Sequence, residues 1–156
     1  MRETLAEVAR RTDLTVQRAR VELVAAVRAA ASEGMTQAEI ARAIGRSQPE
    51  VSRLLRFHGR SPVAMKLRRR AGEVRRVVAE WGGTNVRVFG SVATGRDRQD
   101  SDIDLLFSMN RPLSLLELGA LERRIAELVG APVDLVPEEA LRPDLRQRVL
   151  AEAVQL

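Results

Sequence analysis

The stretch GSVATGRDRQDSDIDLLF, residues 90–107, sets two aspartates one residue apart at the mouth of an apolar run. In a strand, residues i and i+2 share a face. Asp102 and Asp104 are therefore expected side by side, with Ile103, Leu105 and Phe107 alternating toward a core. Like charges so placed repel, by about 0.2–1 kcal/mol for an exposed pair, and by more when desolvated. A fold that keeps them must leave the start of that strand open to something positive. A hard divalent cation such as Mg²⁺ suits the place, because it prefers carboxylate and phosphate oxygens.

The surrounding chain alternates between strand and helix signals. NVRVFG (85–90) and DIDLLFSM (102–109) read as strands, SLLELGALERRIAELVG (114–130) as an amphipathic helix stopped by Gly130, and PVDLVP (132–137) as a third short strand. A closing helix is expected within LRPDLRQRVLAEAVQL (141–156). Upstream, Ser61 and Pro62 start a helix that Gly82-Gly83 ends. This is a small mixed sheet with covering helices. Asp134 is a third acid inside a short apolar strand. If that strand lies beside 102–107, three carboxylates converge, enough to hold two metal ions for in-line displacement at phosphorus. Gly90 and Gly95 permit close approach of the backbone to a ligand, and Ser91 adds a hydroxyl and an N–H. Free N–H groups at a helix start would make that turn an anion site.

The first third of the chain is helical by pattern. Residues 2–11 and 15–32 read as two helices, the second with Val16, Ala19, Leu23, Val24, Val27, Ala30 and Ala31 on one stripe. In 36–56, Thr36 with Glu39 and Ser47 with Glu50 have capping-box spacing, and Gly45 separates the two helices they open. Two short helices joined by a glycine-containing turn make a helix-turn-helix. The expected class is α+β: an all-α domain over 1–60 with the helix-turn-helix at 36–56, then a mixed-sheet domain over 61–156.

Charge and composition narrow the chemistry. Residues 1–80 hold 17 basic against 9 acidic residues, and residues 81–156 hold 9 against 12, which suggests that a basic half meets nucleic acid. The chain has no cysteine, no tyrosine and the single histidine His58, which argues against thiolate or histidine-rich metal sites and serine-protease chemistry. No apolar run is long enough to span a membrane and the N-terminus lacks an apolar signal region, so a cytoplasmic protein is expected.

The segment GSVATGRDRQDSDIDLL, with the distal VDLV, resembles the minimal prokaryotic members of the polymerase-β-type nucleotidyltransferase superfamily over roughly residues 65–156. Gly90, Ser91, Asp102, Asp104 and Asp134 match its pattern of Gly-Ser, Asp-x-Asp and a later acid. Val92 stands where the family often has arginine. The resemblance implies that Gly90 and Ser91 hold the nucleotide's β- and γ-phosphates, that Asp102 and Asp104 bind Mg²⁺, and that Asp134 binds the catalytic metal and helps deprotonate the attacking hydroxyl. Pyrophosphate would leave.

The segment 36–56 is similar to the helix-turn-helix of phage-repressor-like regulators. There the second helix enters the major groove N-terminus first, which singles out Gln48, Glu50 and Arg53 for DNA bases, with Ser47 and Ser52 nearby and Arg42, Arg46, Arg56 and Arg60 as phosphate contacts. Minimal nucleotidyltransferases often pair as antitoxins with toxins, commonly RNases of the HEPN type, and some transfer AMP to the toxin; the resemblance implies a toxin partner here. The expectation is thus an Mg²⁺-dependent enzyme moving AMP from ATP to a hydroxyl on a partner toxin. Its helix-turn-helix, in a homodimer reading paired half-sites, would repress its own operon. The alternative is a transcription regulator whose nucleotidyltransferase fold only binds nucleotide or masks a partner.

Overall fold

The computed structural model describes residues 4–156, and the chain divides into two compact units, one ending at Leu55 and the other spanning Arg56–Leu156. In the first unit, α1 (Leu5–Ser32) is one continuous helix, capped by a box between Thr4 and Glu7. The sequence pattern predicts two helices here, over 2–11 and 15–32. Residues 2 and 3 lie outside the described residues. The break at 12–14 is absent because nothing there stops a helix: Thr15 turns its hydroxyl back to the Arg11 carbonyl at 2.9 Å and leaves the backbone ladder intact. Next come α2 (Gln37–Ile44) and α3 (Gln48–Leu55), joined through Gly45 at φ +65°. Val27 of α1, Ile40 and Ala41 of α2 and Val51 of α3 form the buried centre of this unit, with Leu23, Ala30, Ile44 and Leu54 around them. The stripe expected over 16–31 is thus covered from Leu23 onward, whereas Val16 remains 62% exposed.

The second unit is a four-stranded mixed sheet with strand order β3-β2-β1-β4. Its strands are β1 (Gly83–Phe89), β2 (Ile103–Met109), β3 (Val133–Pro137) and β4 (Val154–Gln155); β1 runs antiparallel to β2 and β4, and β2 parallel to β3. The helices α4 (Pro62–Glu80) and α6 (Leu115–Val129) contribute Leu67, Val74, Val78, Leu121 and Ile125 to one core with Val88, Ile103, Leu105, Phe107 and Leu135 of the strands. The short α5 (Gly90–Thr94) follows β1, and α7 (Pro143–Glu152) precedes β4.

Several boundaries differ from those the sequence predicts. The first strand gives way to α5 at Gly90, because Gly90 adopts φ +70°. The closing helix stops at Glu152, and Val154, 6% exposed, pairs with Val88 as a fourth strand. Residues 56–60 join the sheet unit: Arg56 bridges Gln155, the Phe57 N–H donates to the Gln155 carbonyl at 2.6 Å, and Phe57 enters the larger core.

Candidate active site

Along β2, Ile103, Leu105 and Phe107 are fully buried in the core, as the alternation predicts. Asp104 takes the other face, which Leu106 continues as a buried residue. Asp104 is the cross-strand partner of both Phe89 on β1 and Asp134 on β3. Two carboxylates thus stand at the same level of adjacent parallel strands, immediately beside the residue from which the Gly90 turn departs. Asp102 does not lie in the strand: β2 begins at Ile103, and Asp102 ends the preceding connection as an exposed residue. Its expected place beside Asp104 within one strand is corrected accordingly. It remains close enough to act on Asp104 through its charge.

Asp104 is held with its carboxyl pushed up to about 6. Burial is the first cause; the charges of Asp134, Asp102 and Glu152 follow. Glu152, at the end of α7, is the member of this group that sequence reasoning missed, since nothing in a closing helix marks which residue turns back toward β2. An ion-pair network sets α7 in place: Glu138 joins Arg87 of β1, and its other oxygen accepts from Arg146 of α7 at 2.9 Å.

Gly90 sits against Asp104. A Cβ at position 90 would lie within 3.0 Å of Asp104 Oδ2. Glycine is therefore required twice, by the left-handed backbone and by the carboxylate pressed on its Cα. The turn closes as α5, where the Arg96 N–H donates to the Ser91 carbonyl at 2.9 Å and the Thr94 hydroxyl to the Gly90 carbonyl at 3.1 Å. No side chain caps its start at Phe89. Val92 is 1% exposed and belongs to the core, so the position where the family often has arginine serves packing in this chain.

The donor set suits a hard cation: every charge that shifts Asp104 is a carboxylate, and each pushes its carboxyl the same way. Among the described residues, no three His, Cys, Asp or Glu side chains are already drawn together as a metal-holding group.

Of the residues singled out for DNA, Gln48, Glu50, Ser52 and Arg53 lie on α3 and Arg46 just before it, whereas Arg42 lies on α2 and Arg56 and Arg60 belong to the sheet unit. Arg46, Gln48 and Arg53 are exposed, and Glu50 and Ser52 are half-buried. Glu50 is engaged locally. Its Oε2 accepts from the Ser47 N–H at 2.8 Å and the Ser47 hydroxyl at 2.7 Å, and its Oε1 stands 3.8 Å from Arg46.

Carboxylates on two adjacent strands beside a Gly-Ser turn fit an enzyme that transfers nucleotidyl groups. A model of the nucleotidyltransferase domain matches residues 72–156, and the chain belongs to that family. It is 36% identical over 74 residues to the protein adenylyltransferase MntA of Thermococcus cleftensis, a match that spans 47% of this chain and 75% of the relative. It is 32% identical over 80 residues to a candidate protein adenylyltransferase, MJ0435, of Methanocaldococcus jannaschii, covering 51% of this chain and 86% of the relative. Among solved structures, one described as a candidate minimal nucleotidyltransferase is 43% identical, covers 59% of this chain and 94% of its own, and superposes with a TM-score of 0.54. A toxin-antitoxin structure with AMP-PNP shares the fold at 22% identity, 54% and 69% coverage, and a TM-score of 0.50. The expected nucleotidyltransferase class and α+β fold both stand.

Proposed function

We propose that this chain transfers AMP from ATP to a hydroxyl group on a partner protein, that the partner is a toxin of the HEPN RNase type, and that α2 and α3 bind operator DNA. The observation that carries the catalytic reading is the level pairing of Asp104 with Asp134 beside the Gly90-Ser91 turn. The names of the relatives at 32% and 36% identity support the acceptor class.

Asp102, Asp104 and Asp134 would hold Mg²⁺, which when bound neutralises charge on the phosphates and on the carboxylates. The backbone N–H groups of the Gly90-Ser91 turn and the Ser91 hydroxyl bind the β- and γ-phosphates. Asp134 accepts the proton of the attacking hydroxyl. The hydroxyl oxygen bonds to the α-phosphorus as the bond from that phosphorus to the β-phosphate bridging oxygen breaks, and pyrophosphate departs. A tyrosine acceptor would have to come from the partner, because this sequence contains no tyrosine. For DNA, Gln48 and Arg53 are the exposed base-reading candidates on α3, with Ser52 beside them. Glu50 acts chiefly as the cap of that helix, and Arg46 and Arg42 contact phosphate.

Incubation with Mg²⁺, α-labelled ATP and the product of the adjacent gene tests the reading. Label should pass to the partner, and Asp104→Ala should abolish transfer. The second reading, a regulator that only binds nucleotide, is favoured by the burial of Val92 where a phosphate-binding arginine would stand. It gains if the partner is neutralised equally well by Asp104→Ala.

A further inference from the structure

The nucleotide site is short of positive charge. Asp134, Asp102 and Glu152 all act on Asp104, and every charge that does so is a carboxylate. The helix α5, which carries the Gly90-Ser91 turn, has no charged residue, and Val92 is buried where the family often has arginine. Even with Mg²⁺ bound, phosphate oxygens that the ion does not reach need donors from the protein.

The chain returns a cation to this place two residues after α5 ends. Gly95 turns the backbone at φ +74°, and the Arg96 N–H then donates to the Ser91 carbonyl at 2.9 Å. The main chain of Arg96 is thereby fixed against the residue that would bind phosphate. From there an extended arginine side chain spans more than one helical turn, ~5.4 Å, enough to pass along α5 to its start. Arg96 is exposed, and its side chain joins no ion pair or hydrogen bond among the described residues. The adjacent Asp97 does not hold it: the buried Oδ2 of Asp97 has no hydrogen-bond partner. Arg98, the other arginine of this connection, is tied elsewhere. Its N–H donates to Ser101 Oγ at 2.7 Å, in the turn that leads to Asp102.

We infer that the Arg96 guanidinium binds the terminal phosphate of the nucleotide, in place of an arginine at position 92, and makes the site select nucleoside triphosphates over diphosphates. The inference rests on the nucleotidyl-transfer reading above. A guanidinium offers two parallel N–H donors to two phosphate oxygens, a fork that lysine lacks. The contact lies away from the α-phosphorus, where bonds change, so it holds the nucleotide equally before and during transfer.

Calorimetric titration of the full chain in Mg²⁺, with no partner added, tests this. The wild type should bind ATP about tenfold or more tightly than ADP, as expected for one charge-assisted contact. Arg96→Ala should lose that preference, bind ADP as the wild type does, and melt at the same temperature, because the side chain is exposed and unpartnered. Arg96→Lys should keep part of the preference, and Arg98→Ala all of it. In the transfer assay with the adjacent gene's product, Arg96→Ala should raise KM for ATP and leave kcat unchanged. A wild type that binds ATP and ADP equally, an Arg96→Ala chain that keeps the preference, or its loss in Arg98→Ala overturns the inference and leaves nucleotidyl transfer standing. A wild type that binds neither nucleotide overturns both.

Discussion

Asp104 is surrounded by burial and by three like charges, and its carboxyl is pushed up to about 6 from 3.8. The folded chain therefore binds this proton more tightly than the unfolded chain does. By linkage, stability falls as pH rises from about 3.8 to about 6 and stays lowered above that. In chelator, Asp104→Asn should melt at a higher temperature than the wild type at pH 8, and the gain should shrink steadily as pH falls through 6 toward 4. Mg²⁺ added at pH 8 should raise the melting temperature of the wild type and not that of the variant; calorimetry with and without the ion checks both. Gly90 offers a sharper case. Gly90→Ala costs about 1–2 kcal/mol for a side chain in the left-handed region, and its Cβ also displaces the Asp104 carboxylate. Transfer activity should drop by far more than the modest fall in urea midpoint would suggest, whereas Gly95→Ala, with open space around its Cβ, should lose stability by a like amount and keep its activity.

At the level of elements, capping was the most legible signal. Thr36 with Glu39 opens α2 as a reciprocal capping box, and Ser47 with Glu50 does the same for α3. Ser47→Ala removes the cap of an eight-residue helix and should cost about 1 kcal/mol; a urea melt followed at a probe in the first unit measures it. Asp104 was legible because a carboxylate inside an apolar strand is costly to desolvate and must meet a counter-charge or a ligand, and Asp134, exposed on β3, because it is an acid set among apolar residues of a short strand. Asp102 is different: it lies outside β2 because the strand's hydrogen bonds begin at Ile103, whose N–H donates to the Pro132 carbonyl at 2.9 Å, and no residue type marks that boundary. The fourth strand is two residues long and owes its place to burial of Val154 and Leu156 against a sheet that must already exist. Local periodicity carries no trace of that. For the same reason Glu152 was invisible: its role depends on where α7 is anchored by Glu138, a tertiary fact.

Across the whole molecule, charge follows the units differently from the way it divides the sequence. Up to Leu55 the chain holds 9 basic and 7 acidic residues, close to neutral; between Arg56 and Glu80 it holds 8 against 2. The basic excess of the first eighty residues thus belongs largely to α4, in the sheet unit, where Arg68, Arg69, Arg70, Arg75 and Arg76 are exposed. An α2–α3 pair in a nearly neutral unit can neutralise few phosphates. Specific operator binding should therefore depend weakly on salt, and most of that dependence should come from Arg42 and Arg46, both exposed beside the α2–α3 turn. Each phosphate contact contributes a slope of about −0.9 in log affinity against log salt. The double substitution Arg42→Gln, Arg46→Gln should then reduce the slope for the full chain by about 2 while leaving base preference intact, whereas Gln48→Ala should relax the preference at one base pair without changing the slope. Titrations of one operator fragment and its single-base variants at several salt concentrations separate these effects. If instead the slope responds only to Arg69→Gln and Arg76→Gln, the phosphate grip lies on α4, and assigning DNA contact to α2 and α3 fails.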